Sequence, residues 1–160
     1  MEFVYQLHKK GVNMSKVLII MGSKSDMDIM KKADDFLSDM GIETRIEVAS
    51  AHRNPERVHS IAKEVEESFD VVIAGAGMAA HLAGVMAALV TKPVIGVPVN
   101  ASLNGLDSLL SVSQMPPGIP VATVAINGAK NAGILALEIL AVSNSTYREK
   151  LKAFRETFNQ

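Results

Sequence analysis

Short runs of aliphatic and β-branched residues alternate along this chain with segments of helical periodicity, and this alternation restricts its fold more than any other feature. Strands are predicted at 17–21, 44–49, 71–74, 94–99 and 121–126. Helices are predicted between them, and a charged C-terminal helix at 147–158. Such alternation gives a parallel sheet with right-handed crossovers and helices on both faces. We therefore predict a three-layer α/β fold with a parallel sheet of about five strands in the flavodoxin-like order 2-1-3-4-5.

The composition favours one globular domain. The 160 residues are 48% hydrophobic, which is enough for a single core and excludes a disordered chain. No linker or internal repeat divides the sequence, so we predict a single α/β domain over residues 16–160. Residues 1–15 are predicted to be a flexible leader, with Met14 as an alternative start.

Charge and cysteine content exclude several classes of function. The net charge of −1 gives no electrostatic reason to expect nucleic acid or an anionic membrane as a partner. The chain has no cysteine, which excludes disulfides, thiolate nucleophiles and thiolate metal sites. No run approaches the ~18 consecutive apolar residues that a transmembrane helix needs. We expect a cytoplasmic protein.

Charged residues are scarce in the second half of the chain. Between residues 71 and 147 they are only Lys92, Asp107, Lys130 and Glu138. An exposed half-domain normally carries many more charges. We therefore predict a homo-oligomer in which other subunits cover part of this half. The alternative is a monomer with an uncharged surface rich in Gly, Ala and Ser.

Polar and small residues follow each of the first four predicted strands, at 22–26, 50–55, 75–82 and 100–107. The carboxyl ends of parallel strands lie at one edge of a sheet, where α/β proteins bind their ligands. We therefore expect these four loops to converge on one crevice.

The first loop, Gly22-Ser23-x-Ser25-Asp26, lies between a strand and a helix N-terminus. Backbone N–H groups and two hydroxyls there can hold a phosphate, and the helix dipole favours an anion. Asp26 has the wrong charge for a phosphate and is better suited to ribose hydroxyls or an amine. The alternative is that Ser25 or Asp26 simply caps the helix.

The second loop, Ser50-Ala51-His52-Arg53, carries the sharper chemical signal. Arg53 can grip a phosphate bidentately. His52 titrates near neutral pH and can therefore act as a general acid or base. The alternative is an ordinary polar loop before a helix that starts at Asn54-Pro55.

The third loop formally matches a dinucleotide fingerprint, Gly75-x-Gly77-x-x-Ala80. It follows the third strand rather than the first, and residues 71–106 contain no Asp or Glu to hold a ribose, so we discount that match. We interpret the glycines instead as positions where the backbone approaches a ligand closely. His81 either lines the site or is a satisfied structural histidine in an apolar helix.

Taken in order, these motifs resemble the class I N5-carboxyaminoimidazole ribonucleotide mutases of purine biosynthesis, the catalytic subunit of phosphoribosylaminoimidazole carboxylase. The resemblance extends through four more segments: PVIGVPV at 93–99, GLDSLLS at 105–111, QMP at 114–116 and PVATVAI at 120–126, with Asn131-Ala132 beyond. It covers roughly residues 17–140. Each segment alone is weak evidence, but the combination is highly specific.

The resemblance implies a catalytic domain that interconverts the carbamate N5-carboxyaminoimidazole ribonucleotide and its C4-carboxylated isomer, without metal, flavin or nucleotide cofactor. It implies that Ser23, Asp26 and Arg53 bind the ribonucleotide, with Ser25 and Ser50 in support. His52 is implied as the proton carrier. The loop from Gly75 to Ala80 is implied to leave room for carbon dioxide and to exclude water. The substrate-binding candidates in the third loop are Gly75, Ala76, Gly77, Ala80, His81 and Leu82. A homo-octamer is also implied.

The sequence departs from the family pattern at four positions. Met27 replaces the usual Trp, Asn54 the usual Thr, Met78 a usual Gly and Ala83 the usual Pro. Met78 matters most, because a long side chain there could reshape the carbon dioxide pocket. It leaves open an alternative activity, the carboxylation of aminoimidazole ribonucleotide with free carbon dioxide.

Two other classes on the same fold are disfavoured. A flavin-binding protein needs an aromatic side chain to stack on the flavin, yet residues 71–146 contain no Phe, Tyr or Trp. A receiver-type signalling domain needs an aspartate at the end of the third strand, where this chain has Gly75-Ala76-Gly77.

Overall fold

Five parallel strands form one sheet in the order β2-β1-β3-β4-β5 in the computed structural model, which describes residues 15–159. The strands are β1 (Lys16–Met21), β2 (Glu43–Val48), β3 (Val71–Gly77), β4 (Val94–Val99) and β5 (Ala122–Thr123). The predicted fold class and strand order are confirmed. The predicted leader lies outside the described residues, apart from Ser15.

Six α-helices connect and cover the strands within residues 15–159. They are α1 (Met27–Asp39), α2 (Pro55–Ser68), α3 (Leu82–Leu89), α4 (Leu106–Ser113), α5 (Ala129–Ala141) and α6 (Ser145–Glu156). None of these helices is long and apolar enough to cross a membrane.

The central strands are buried on both faces, which explains why they appear in the sequence as continuous apolar runs. In β1, Val17, Ile19 and Met21 belong to the core beneath α1, α5 and α6. Leu18 and Ile20 of the same strand belong to the core on the other face, beneath α2 and α3. The two layers of helices thus hold the sheet rigidly between them.

The fifth strand is shorter than predicted, with two residues instead of six. Pro98 of β4 has no N–H group to donate to its neighbour, so the regular ladder stops there. Isolated bonds continue, since the Asn127 N–H group donates to the Pro98 carbonyl at 2.8 Å. The third strand, by contrast, extends three residues beyond its prediction, because Ala76 and Gly77 pair with Pro98 and Val99 of β4.

The small residues after the third strand predict a helix from about Ala79 to Leu89, but helix α3 begins only at Leu82. Met78 and Ala80 have φ values of 56° and 34°, which lie in the left-handed region and are incompatible with a helix. The chain turns here instead, and the Ala80 N–H group donates to the Gly77 carbonyl at 3.0 Å. The residues between β3 and α3 therefore form a tight, strained loop at the carboxyl edge of the sheet.

The C-terminal helix begins at Ser145, two residues earlier than predicted and within the segment 143–146 that the sequence predicts as a turn. The Asn144 side chain accepts hydrogen bonds from the N–H groups of Thr146 and Tyr147, which caps the helix. Farther along, the Lys150 ammonium donates to the Met40 carbonyl at 2.6 Å. The last helix thus holds the C-terminal end of α1.

Candidate active site

A cleft of about 480 Å³ lies at the carboxyl edge of the sheet, where the loops after β1, β2, β3 and β4 meet. It is lined by residues of all four loops: Gly22, Ser23, Ser25, Asp26, Ser50, Ala51, His52, Arg53, Ala76, Gly77, Met78, Ala79, Ala80, His81, Leu82 and Ala101. The cleft crosses the point where the chain connections leave β1 and β3 in opposite directions, the usual ligand position in such sheets. The four loops therefore converge as expected.

The first loop gathers three polar side chains in one cluster. The Ser25 hydroxyl lies 2.9 Å from the Ser23 hydroxyl and 3.1 Å from the Asp26 carboxylate. The Ser23 hydroxyl also accepts a hydrogen bond from the Ser25 N–H group at 3.3 Å, so this serine caps the short 3₁₀ turn. Asp26 precedes α1 but makes no capping bond with its side chain. Helix capping therefore accounts for Ser23 but not for Asp26.

Asp26 is almost completely buried, with 7% of its surface exposed. This burial raises the pKa of its carboxyl group, because a charge loses hydration in the interior. Hydrogen bonds from Ser25 and Ser23 and the positive charge of Arg53 act in the opposite direction but do not cancel the effect. Keeping a buried carboxylate beside the cleft costs stability, which points to a role in the site rather than in folding.

We expect Asp26→Asn to stabilise the folded chain at neutral pH and to leave stability unchanged in acid. The folded carboxyl binds its proton more tightly than the unfolded one, so native stability falls as pH rises from the ordinary pKa of 3.8 through the raised folded value. The asparagine amide of the variant carries no charge at any of these pH values, so the variant does not lose stability in this way as the pH rises. Urea unfolding between about pH 3 and pH 7 measures both curves. If the free energy of unfolding depended on pH in the same way in both proteins, this account would be contradicted.

The second loop fixes the position of Arg53 from two sides. The Arg53 backbone N–H donates to the Ser50 hydroxyl at 3.2 Å, and its guanidinium donates to the Gly22 carbonyl at 2.9 Å. Asn54 then caps α2 by accepting from the Arg57 N–H group at 3.2 Å. Since a guanidinium carries five N–H donors, Arg53 keeps others available to a ligand while it ties the first two loops together.

His52 and His81 contact each other across the cleft. The His52 Nε2 atom lies 2.5 Å from the His81 Nδ1 atom, and the two rings are nearly perpendicular, with centroids 4.6 Å apart. One nitrogen of such a pair donates the hydrogen bond and the other accepts it. The tautomer of one ring therefore determines the tautomer of the other. The sequence placed both histidines near the site but gave no sign that they touch.

The third loop forms a floor of small residues. Ala76, Ala80 and Leu82 are buried and line the cleft. Gly75 is not among the lining residues: a Cβ atom there would lie 2.2 Å from the Met30 sulfur, so its small size serves packing beneath the sheet edge. Gly77 does line the cleft, and a Cβ atom there would lie 2.7 Å from the Ala101 Cβ atom. The loops after β3 and β4 are therefore in direct contact.

Four more lining residues, Gly22, Ala51, Ala79 and Ala101, lie in the loops that were expected to converge but were not singled out as site residues. Their position after strands is the signal that could have singled them out. Asp107 lies outside the lining, and one of its carboxylate oxygens accepts from the Ser102 hydroxyl. Among residues 15–159, no three His, Asp or Glu side chains are grouped closely enough to hold a metal ion.

Fold and cleft together define a flavodoxin-like α/β protein with a polar ligand site at the switch point of its sheet. The AIR carboxylase family model matches residues 16–160. The chain therefore belongs to the AIR carboxylase family, which confirms the resemblance seen in its motifs.

Individual relatives agree with this assignment. An N5-carboxyaminoimidazole ribonucleotide mutase of Pyrococcus abyssi is 59% identical over 147 residues, covering 91% of this chain and 84% of that protein. A mutase of the same name from Thermotoga maritima is 54% identical over 145 residues, covering 89% and 85%. The crystal structure of Treponema denticola PurE superposes with a TM-score of 0.84 at 33% identity, covering 91% of this chain and 92% of that one.

Proposed function

We propose that this chain is an isomerase of purine biosynthesis that interconverts N5-carboxyaminoimidazole ribonucleotide and 4-carboxyaminoimidazole ribonucleotide. The observation that carries the proposal is the 59% identity, over nearly the whole chain, to a protein named for this mutase activity. The convergence of the polar loops on one cleft supports it. The proposal includes a cytoplasmic location, with which the absence of cysteine is compatible.

The charges and donors of the cleft suit a ribonucleotide. In the proposal, Arg53 and the hydroxyls of Ser23 and Ser25 bind the phosphate, because a guanidinium and hydroxyl groups match its oxygens. Asp26 accepts hydrogen bonds from ribose hydroxyls, because an ionised carboxylate is an acceptor that suits hydroxyl donors and is repelled by a phosphate. Ser50 supports Arg53 through its backbone contact.

His52 acts as the proton carrier in both halves of the proposed reaction. The carbamate C–N bond breaks, the electron pair stays on nitrogen, and His52 supplies the proton, which leaves aminoimidazole ribonucleotide and carbon dioxide. The ring C4 atom then attacks carbon dioxide to form the new C–C bond. His52 removes the C4 proton and so returns to its starting state.

The floor of small residues gives carbon dioxide room beside the ring. Ala76, Gly77 and Ala80 contribute little bulk, and Leu82 adds an apolar wall. Carbon dioxide is uncharged and apolar, so it can lie against an apolar wall without losing strong hydrogen bonds to water. Excluding water also protects carbon dioxide from side reactions before it joins the ring.

The activity is tested by giving the purified protein each substrate separately, with and without bicarbonate. We expect conversion of the carbamate without added bicarbonate, followed by the appearance of the C4-carboxylated product. Carboxylation of aminoimidazole ribonucleotide that depends on bicarbonate, together with no conversion of the carbamate, would replace the mutase by the alternative activity. The names of the relatives at 50% identity and above favour the mutase.

We further propose that the chain assembles as a homo-octamer. Leu103, Leu106 and Leu110 are exposed at and beside α4. Next to them β5 forms an edge of the sheet only two residues long, in a region almost without charge. An apolar, uncharged surface of this kind is typical of contacts between subunits.

Leu106→Glu combined with Leu110→Glu is expected to dissociate the assembly. The two carboxylates would have to lose hydration in the contact, which is unfavourable without partners. Light scattering with size-exclusion chromatography measures the change in mass. Val142→Glu, at an exposed apolar residue on the opposite end of the sheet, is the matched control and is expected to keep the original mass. A mass unchanged in the double variant would place the contact elsewhere.

A further inference from the structure

Met78 combines two unfavourable properties. Its φ of 56° lies in the left-handed region, which glycine adopts readily and a long side chain does not. Its apolar side chain is 62% exposed to solvent. Backbone strain at a residue that lines a cleft suggests a functional role for that residue, because strained backbone conformations cluster at functional sites.

Met78 also differs from the other residues that line the cleft. The neighbouring lining residues, Ala51, Ala79 and Ala101, are small, and Leu82 is buried. Within the single chain, Met78 is therefore the one lining residue that combines a long apolar side chain with high exposure. Methionine has three rotatable bonds and adapts its shape to what it covers.

The backbone of this loop is poorly suited to move as a lid. Gly77 packs directly on Ala101, and the Ala80 N–H group holds the Gly77 carbonyl at 3.0 Å. The group at this part of the cleft that is suited to move is therefore the exposed side chain of Met78, which lines the cleft.

We propose that Met78 is a retention residue: its side chain folds over the occupied cleft and keeps carbon dioxide there between the two halves of the reaction. This inference rests on the proposed mutase function. When the carbamate C–N bond breaks and nitrogen takes its proton, the carbon dioxide released carries no charge. Hydrogen bonds and ion pairs hold such a molecule weakly, so contact with an apolar side chain is better suited to retain it in the cleft.

The inference is tested by following escape of carbon dioxide during turnover. The carbamate is converted in ¹³C-bicarbonate with carbonic anhydrase present, so that any molecule that escapes exchanges with the medium. The ¹³C content of the product carboxylate and the amount of aminoimidazole ribonucleotide released are measured, with an enzyme-free blank for spontaneous breakdown. The wild-type protein is expected to transfer most of its carboxylate without exchange.

Three variants separate the side chain from the backbone. Met78→Gly and Met78→Ala both remove the cover, and we expect exchange and release to rise about fivefold, equivalent to about 1 kcal/mol, with little change in KM. Met78→Leu keeps an apolar side chain of similar volume and is expected to stay near the wild type. Val142→Ala, an exposed apolar position at the far end of α5, is the matched control and should change nothing.

Stability provides a second readout. Met78→Gly should raise the midpoint of thermal unfolding, because glycine relieves the left-handed backbone, whereas Met78→Ala keeps the strain and should not. A variant that is more stable but less able to retain carbon dioxide is the expected signature of a residue kept for function.

Several outcomes would overturn the inference. Unchanged exchange in both the Gly and Ala variants would show that Met78 retains nothing. Equal leakage in the Leu and Ala variants would show that any substitution disturbs the loop. Complete exchange in the wild type would show that nothing is retained. If the wild type fails to convert the carbamate at all, the proposed function itself is wrong, and that result differs from each of the others.

Discussion

His52→Asn is expected to reduce turnover by about a thousandfold or more while ribonucleotide binding stays largely intact. A positioned general acid–base group contributes about 10²- to 10⁴-fold to a rate, and an amide cannot carry a proton in its place. The His52 side chain lines the cleft and contacts His81, whereas Arg53 is held by Ser50 and Gly22, so removing the imidazole should leave Arg53 in place. Steady-state rates and calorimetric titration with the product measure the two quantities separately.

His81→Asn is the matched control for this prediction. Its amide can place a polar atom close to the position of the His81 Nδ1 atom, so the contact with His52 can persist. We expect a loss of several-fold at most. Retention of more than a few per cent of the wild-type rate by His52→Asn would show that the proton carrier is another group. A loss in the His81 variant as large as in the His52 variant would show that the pair works as a unit.

Arg53→Lys is expected to raise KM by about tenfold to a hundredfold, because a hydrogen bond to a charged group contributes about 1.5–3 kcal/mol. Lysine keeps the positive charge but is a point charge, so it cannot reproduce the guanidinium fork that holds the Gly22 carbonyl and, in our proposal, the phosphate. The same change should leave kcat less affected than KM, since Arg53 takes no part in proton transfer. Initial rates over a range of substrate concentrations give both constants.

Arg57→Lys provides the comparison within the same segment. Arg57 pairs with Glu47 at 3.0 Å and does not line the cleft, so its replacement should leave KM unchanged. An unchanged KM in the Arg53 variant would remove its assignment as the phosphate ligand.

The parts of the fold that the sequence predicted well are those where a local pattern has one physical interpretation. Strands β1 and β4 are continuous apolar runs because both of their faces are buried, and Asn54-Pro55 starts a helix because of its capping chemistry. The position of the cleft followed from topology alone: loops that succeed parallel strands must meet at one edge. Residues far apart in sequence, such as Ser23 and His52, were therefore predicted to be neighbours in the cleft.

What the sequence could not predict depends on distances between loops. The His52–His81 contact joins residues 29 positions apart, and no periodicity encodes it. The burial of Asp26 is equally a product of packing, since the polar residues near it in sequence, Lys24, Ser25 and Asp28, are all exposed. The short β5 is different, because its cause, Pro98 in β4, is visible in the sequence. Its effect on β5 could be predicted only once β4 and β5 were known to pair.

The contact between Gly77 and Ala101 restricts how this cleft could be redesigned. A methyl group added at Gly77 would meet the Ala101 methyl group and, at 3.1 Å, the Val99 carbonyl. The two positions thus behave as one steric unit, in which a gain of volume on one side needs a loss on the other. Libraries that aim at bulkier substrates should vary these two positions together, and Ala101→Gly is the first exchange to make.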